Sequence, residues 1–288
     1  MKITTSNEKL TQIKKAGFIL KPNSPEIKKD YEVIKNHFLK ANIEVILEKQ
    51  SALMINEGGI ELDNLCQICD FLVSIGGDGT LISVVRRSFK FDIPVLGIHL
   101  GTLGFLTDIR FSEVENFLSL MFKHEYRIDH RMMINGCANE QSFVAFNDIV
   151  ITRKSVSSMI SLSAKIDGKP FNSYFGDGVI ISTPTGSTAY NLSVGGPIVY
   201  PLTEAFIVTP VAPHSLTQRP LVLPADFKIE FTITDKQGAL VIIDGQDIYD
   251  INENETIKIE ISPNKARLIH RCQRNYFEVL NEKLRWGN

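Results

Sequence analysis

Near residue 125 the hydrophobic pattern of the chain changes its period, and that change limits the folds open to it. Before it, short apolar runs alternate with segments whose apolar residues recur at helical spacing. Residues 16–20, 43–47, 71–75 and 94–98 read as strands, and Ile27, Tyr31, Ile34 and Phe38 mark one face of a helix. Ser112 and Glu115 have the spacing of a capping box, opening a helix whose buried face is Val114, Phe117, Leu118 and Met121. Strands alternating with helices require a largely parallel sheet covered on both faces. After residue 125 the period approaches two. Residues 126–134, 142–152, 159–166, 179–182, 228–233, 240–244 and 256–261 read as strands, with Asp167-Gly168 as a hairpin turn. Many short strands with little helix between them imply a sandwich of antiparallel sheets. Residues 275–286 turn helical again through Phe277, Leu280 and Leu284. The expected division is an α/β domain over 1–125, a β-rich domain over 126–270, and a segment over 271–288 that returns to pack on the first domain.

Charge and composition remove several function classes. The 288 residues carry a net charge of -2, and no Lys/Arg block suits a nucleic-acid groove or an anionic membrane surface. No apolar run approaches the ~18 residues a membrane helix needs. The first residues, MKITTSNEKL, lack the apolar core of a secretion signal, so a cytoplasmic location is expected. Cys66 and Cys69 form one Cys-x-x-Cys with no second pair to complete a zinc site, and the four cysteines read as small buried thiols. His124-Glu125 has Ile128 where a zinc-protease motif needs His. No metal site built from protein ligands is expected.

The stretch SIGGDGTL, residues 74–81, closes an apolar strand with three glycines around one acid, then enters a helix. Glycines after a strand let a ligand approach the backbone, and the amides at the next helix start suit phosphate. The pattern is neither a P-loop nor the usual dinucleotide fingerprint. An acid beside phosphate-binding amides can act as base toward a hydroxyl, which points to phosphoryl transfer onto an alcohol. A tight turn with a solvated Asp is the plainer alternative.

Two further segments stand out. Residues 182–188 hold five hydroxyl side chains, Ser182, Thr183, Thr185, Ser187 and Thr188, around Pro184 and Gly186. They suit ribose, phosphate or base edges, or equally a Ser/Thr-rich turn. Asn147-Asp148 interrupts an apolar strand, and its polar groups serve either the backbone or a ligand.

The motifs come in a telling order: Gly76-Gly77-Asp78-Gly79-Thr80, Gly101-Thr102-Leu103-Gly104-Phe105-Leu106, Asn147-Asp148, Thr183-Pro184-Thr185-Gly186-Ser187-Thr188-Ala189-Tyr190, His214-Ser215-Leu216-Thr217-Gln218-Arg219-Pro220 and Asp244-Gly245-Gln246. Together they closely resemble the bacterial NAD kinases, over nearly the whole chain and most weakly in the first 60 residues. The glycine–aspartate loop alone is shared with lipid kinases and phosphofructokinases; the Thr-Pro-Thr-Gly-Ser-Thr-Ala-Tyr run is far more specific.

The resemblance implies a Rossmann-like first domain, and transfer of the terminal phosphate of ATP to the 2′-hydroxyl of the adenosine ribose of NAD. It also implies a divalent cation, magnesium or manganese, carried with ATP, no tightly bound organic cofactor, and a homodimer or homotetramer. Asp78 would be the general base or orienter, with Gly76, Gly77, Gly79 and Thr80 along the phosphates. Phe105 would wall the adenine, or belong to the core. Asn147 would read the adenine edge and Asp148 a nucleotide hydroxyl. Thr188, Ala189, Tyr190, Asn191, Leu192 and Ser193 would line the adenosine, although Tyr190 also reads as a core aromatic. Asp177 would fix the nicotinamide end, and Asp244 and Gln246 would approach from the second domain, with the site expected between the domains. This chain departs from the pattern twice: Asp148 stands where most relatives have Glu, and Phe175 where many have a basic residue. A lipid kinase and a catalytically silent nucleotide sensor are the competing expectations. The first lacks an apolar channel in the sequence, and the second sits poorly with an intact Asp78.

Overall fold

A computed structural model describes residues 8–101, 104–139, 141–155, 157–273 and 275–285. The chain divides into two compact units, residues 1–130 with 266–288, and residues 131–265.

The first unit follows the strand–helix alternation. Its strands are β1 (Lys15–Leu20), β2 (Glu44–Leu47), β3 (Phe71–Gly76), β4 (Val95–His99), the short β5 (Ile109–Arg110) and β6 (Tyr126–Arg131). Its helices are α1 (Lys28–Lys40), α2 (Lys49–Ile55), α3 (Leu62–Ile68), α4 (Asp78–Ser88) and α5 (Val114–Phe122). β1 pairs in parallel with both β2 and β3, and β3 with β4. Every residue of β3 is buried, which is why a continuous apolar run serves there. Phe18 of β1 meets Phe38 of α1 edge-on, ring centroids 4.9 Å apart, and both are fully buried. Each ring contributes about 2–3 kcal/mol by leaving water.

The helix expected to begin at Ser112 starts differently. A 3-10 turn over Phe111–Glu113 precedes α5, and Glu113, not Glu115, returns its carboxylate to the Arg110 N–H at 3.0 Å. Glu113 is held in that position by an ion pair with Arg271.

From β1 the chain goes to β2 on one side and then crosses to β3 on the other. The carboxyl ends of β1 and β3 therefore flank the point where strand order reverses, the place where open α/β sheets bind ligands.

The second unit holds two six-stranded antiparallel sheets. Its strands are β7 (Ile134–Ala138), β8 (Gln141–Ala145), β9 (Asp148–Thr152), β10 (Ile160–Ile166), β11 (Lys169–Gly176), β12 (Gly178–Ser182), β13 (Ala205–Val211), β14 (Leu221–Pro224), β15 (Ile229–Ile233), β16 (Ala239–Ile243), β17 (Asp247–Ile251) and β18 (Thr256–Ile261), with α6 (Tyr190–Ser193) between β12 and β13. One sheet runs β11-β10-β15-β18-β7-β8 and the other β14-β13-β12-β9-β16-β17. Phe231 and Ile257 of the first share a core with Ile149, Ile181 and Phe206 of the second, so the sandwich is closed by side chains from both inner faces. Asp167 and Gly168 have φ of 49° and 74°, the two positive values a tight β10–β11 hairpin requires.

The strand expected over 142–152 is two strands in different sheets. β8 ends at Ala145, Phe146 and Asn147 form a corner, and β9 begins at Asp148. β13 was not expected, because Pro210 lies in its apolar run. β14 pairs only with Ala205–Val208, so the strand is an edge on that side at Pro210 and its missing N–H costs no ladder bond.

The chain then returns. β19 (Ala266–Arg271) pairs in parallel with β4 and neighbours β6, and α7 (Tyr276–Leu284) follows. β6 and β19 thus belong to the first sheet, which moves both expected boundaries, from 125/126 to 130/131 and from 270/271 to 265/266. In α7 the buried pair is Val279 and Leu280, while Phe277 is exposed; Trp286 lies outside the described residues. Among the described residues no helix is long and apolar enough to cross a membrane.

Candidate functional site

The candidate residues fall into two groups, one in each unit. In the first, β3 runs straight into Gly76, and α4 begins at Asp78 with Gly77 extended as its cap. Asp78 stands in the first turn, where the helix dipole favours an acid. Its carboxylate does not point to empty space. Oδ2 accepts the Phe105 N–H at 2.7 Å, Oδ1 accepts the Thr107 N–H at 3.0 Å and the Thr107 hydroxyl at 2.9 Å, and the Leu106 N–H lies 3.3 Å from each oxygen. The acid thus clasps three consecutive backbone amides of the segment before β5. The clasp needs a glycine beside it: a Cβ at Gly104 would sit 1.9 Å from Asp78 Oδ1. Gly79 is exposed, Thr80 is buried, and Phe105 is half-buried. Thr102 and Leu103 of the same motif lie outside the described residues.

Sequence reasoning missed the neighbours of this loop. The Lys21 N–H donates to the Ile75 carbonyl at 2.8 Å, carrying the Lys21-Pro22-Asn23 turn alongside Gly76. A cavity of about 340 Å³ opens there, lined by Pro22, Asn23, Met54, Thr80 and Ser83, with the Glu48–Arg87 ion pair (2.6 Å) in its wall. The signal that could have found it is the order of strands, which places the reversal point at these two strand ends.

The second group is built on the β8–β9 corner. The Asp244 carboxylate accepts three consecutive amides: Phe146 N–H at 2.8 Å, Asn147 N–H at 2.7 Å and Asp148 N–H at 2.9 Å. Asp244 is itself at φ 51°, just past β16. The segment after β12 locks on from the other side. The Thr183 N–H donates to the Asn147 carbonyl (2.8 Å) and the Thr183 hydroxyl to the Phe146 carbonyl (2.7 Å). Gly186 packs so tightly that a Cβ there would lie 2.2 Å from the Asn147 carbonyl oxygen.

The hydroxyl-rich segment therefore splits by role. Ser182, Thr183 and Ser187 are fully buried and bonded to backbone carbonyls, which is the turn reading. Asn191, expected to line a ligand, is fully buried, with its amide donating to the Ser187 and Pro197 carbonyls and accepting from the Thr209 hydroxyl at 2.7 Å. Its side chain frames the segment from inside. Thr185 Oγ1 and Asn147 Oδ1 are buried and find no partner among the described residues. Tyr190 is 46% exposed, which removes the core-aromatic reading. Thr188, Ala189 and Leu192 are half-buried and Ser193 is exposed.

Asp148 is 4% exposed, and burial, with the Asp244 charge second, pushes its carboxyl up to about 7. Asp177 is ion-paired to Arg153 at 3.2 Å. Phe175 is 42% exposed and meets His214 edge-on at 5.6 Å. Gln246 is exposed in the β16–β17 turn, its N–H donating to the Ile243 carbonyl.

Among the described residues no three His, Cys, Asp or Glu side chains gather as a metal cage. The donor set at the glycine–aspartate loop is a single carboxylate, which suits a magnesium ion held chiefly by substrate phosphates and water. Burial pushes the thiols of Cys66 and Cys69 up to about 11 and about 12, so neither is a reactive thiolate at neutral pH. Cys272, expected buried, is exposed.

Comparison with known proteins matches residues 16–126 to the ATP-NAD kinase N-terminal domain and residues 146–271 to the ATP-NAD kinase C-terminal domain. The NAD kinase of Sulfurimonas denitrificans is 49% identical over 279 residues, covering 96% of this chain and 98% of that protein. The NAD kinase of Wolinella succinogenes is 47% identical over 283 residues, covering 97% and 98%. Among solved structures, yeast NADH kinase complexed with NADH superimposes with a TM-score of 0.85 at 27% identity, covering 96% of this chain and 89% of that one. An NAD kinase from Archaeoglobus fulgidus in complex with ATP gives 0.75 at 28% identity, covering 94% and 98%. Neither the lipid-kinase nor the silent-sensor expectation is favoured by these relatives. With its two halves matched in order, and close relatives aligned nearly end to end, the chain belongs to the NAD kinase family.

Proposed function

We infer that the chain transfers the terminal phosphate of ATP to the 2′-hydroxyl of the adenosine ribose of NAD, yielding NADP and ADP. The observation that carries the reading is the pair of buried oxygens at the β8–β9 corner, Asn147 Oδ1 and Thr185 Oγ1, which no group among the described residues satisfies. A buried acceptor without a donor costs about 1–3 kcal/mol. An adenine amino group offers the missing donor to Asn147, and a ribose hydroxyl offers one to Thr185. Tyr190, further along the same segment as Thr185 and open to solvent, supplies a stacking face.

The glycine–aspartate loop handles the phosphates. The glycines that lead into α4 and the cavity beside Thr80 receive the donor nucleotide, and magnesium rides on its phosphates. Asp78 takes the proton of the attacking hydroxyl. Oδ1 accepts the Thr107 N–H and hydroxyl, Oδ2 accepts the Phe105 N–H, and the Leu106 N–H is shared between them, so Oδ2 is the less occupied oxygen for that role. Catalysis then rests on alignment and charge stabilisation around the transferred group. Asp177, Asp244 and Gln246 act as supports in this reading, Asp244 through the corner it ties.

The enzyme works in the cytoplasm as a homo-oligomer. Four free thiols suit a reducing compartment. Phe171 on β11, Val222 on β14 and Ile248 on β17 are exposed apolar residues on the edge strands of the second unit, which suits contact with a second copy. The test of the activity is NADP formation from ATP and NAD with magnesium, read by a coupled assay. Folded protein that makes no NADP overturns the reading. Light scattering of the purified protein reads the oligomer, and a strict monomer overturns that part alone.

A further inference from the structure

Behind the Asp78 clasp lies a buried charged cluster that phosphoryl transfer does not call for. The amides of Phe105, Leu106 and Thr107 hold Asp78, and the next residue is Asp108, 8% exposed. Asp108 Oδ2 lies 3.3 Å from His270 Nδ1 and accepts the Arg271 N–H at 3.3 Å. The other ring nitrogen, His270 Nε2, faces Asp129 Oδ2 on β6 at 3.7 Å, and Asp129 Oδ1 accepts Arg127 Nε at 2.9 Å. His270 is 1% exposed and Asp129 2%. Further charges of the same unit are Arg127, bonded to Asp129, and the Arg271–Glu113 pair next along β19. On β4, the His99 ring is turned to the Gly101 carbonyl at 2.9 Å.

A histidine facing a carboxylate at each ring nitrogen is drawn to both by charge as the imidazolium, the form with an N–H at both. In that form it links the carboxylate that ends the clasp segment to a carboxylate fixed in a sheet strand. We propose that His270 is a positioning residue for catalysis: carried back into the first unit by β19, it pins Asp108 and so holds the 105–107 amides that orient the Asp78 carboxylate. Loosening that link lets the acid rotate without removing it. Small errors of alignment at a reacting group cost rate rather than affinity.

The proposal rests on the kinase reading, and its test separates the two. His270→Gln keeps the volume but cannot carry the charge, and Asp108→Asn removes the charge from the loop side should the first variant fold poorly. Each is expected to lower kcat about tenfold or more, with KM for NAD and for ATP within about twofold of the parent. In an Asp78→Asn background the same change is expected to cost little further rate, because the group it positions is gone. Hydrogen exchange of the 105–107 amides is expected to quicken in both variants, while that of the 146–148 amides stays as in the parent. Parent-like kcat with unchanged exchange at 105–107, or a rate loss that simply adds to that of Asp78→Asn, overturns the proposal. If the parent itself makes no NADP, the kinase reading fails, and the exchange comparison alone decides whether His270 holds the clasp.

Discussion

Asp244 Oδ1 accepts the backbone N–H of Asn147 at 2.7 Å, and that bond is the middle of three. With Phe146 and Asp148 on either side, one carboxylate ties the whole corner where the chain leaves one sheet of the sandwich for the other. The side chain of Asn147 is aimed by a residue 97 positions further along the chain. Asp78 makes the same arrangement in the first unit, with the amides of 105–107. Each of the two groups of candidate residues is therefore built on a short segment held by an acid from elsewhere in its own unit.

Removing the Asp244 carboxylate should undo the corner. Asp244→Ala leaves three part-buried amides without their acceptor, and we expect a loss of about 2–4 kcal/mol in unfolding free energy, measured by urea denaturation. NAD affinity should fall with it, since Asn147 loses its aim. Unchanged stability would show that the turn between β16 and β17 holds the corner by itself.

The pH dependence of stability should carry the mark of Asp148. Its carboxyl is raised from an ordinary 3.8 to about 7 by burial and by Asp244. Between those values the folded protein binds a proton that the unfolded chain has released. Stability from this group is therefore full below about pH 4 and is lost as pH rises through about 7, by roughly 4 kcal/mol at most. Asp148→Asn should remove the slope, so parent and variant stability curves diverge between pH 4 and 7, with the variant gaining relative to the parent at higher pH. Parallel curves would contradict the burial argument.

Gly104 should prove as sensitive as Asp78 itself. A Cβ there would lie 1.9 Å from Asp78 Oδ1, so Gly104→Ala must push the carboxylate off its amides or move the segment. We expect turnover to fall by about 10²-fold or more in Asp78→Asn, and by a comparable factor in Gly104→Ala, with the melting temperature of the latter lowered as the 105–107 amides lose their acceptor. Steady-state kinetics of the two variants decide it. Full activity in Gly104→Ala would mean that the clasp opens freely before chemistry.

How much of this could be read from the residues differs between the halves. The Asp78 loop is legible because it is local: a buried strand, glycines, an acid and a helix follow one another within a dozen residues. The corner at Asn147 is not, because Phe143, Val144, Ala145, Phe146, Ile149, Val150 and Ile151 form one apolar run, and the break is imposed by the carboxylate of Asp244. Spacing also cannot tell a hydroxyl turned inward from one left for a ligand. Thr183 and Thr185 are two residues apart, yet one is bonded to the Phe146 carbonyl and the other is buried without a partner. The returning strand β19 was hidden for a similar reason, since its partner β4 lies some 170 residues earlier and no local pattern announces a parallel pairing.

Asn147 offers the sharpest separation of binding from chemistry. Its Oδ1 has no partner among the described residues, so in the free protein Asn147→Ala removes no bond of that oxygen and relieves the cost of leaving it buried. The backbone N–H that Asp244 holds is untouched by the change, so the corner should stay and the melting temperature should equal or exceed that of the parent. What the variant loses is a hydrogen bond to adenine, and we expect NAD affinity to fall about tenfold, with kcat at saturating NAD near the parent value. Calorimetric titration with NAD gives the first quantity and steady-state kinetics the second. A loss confined to kcat would place Asn147 in the chemistry instead, and would remove the adenine contact from the reading of the corner.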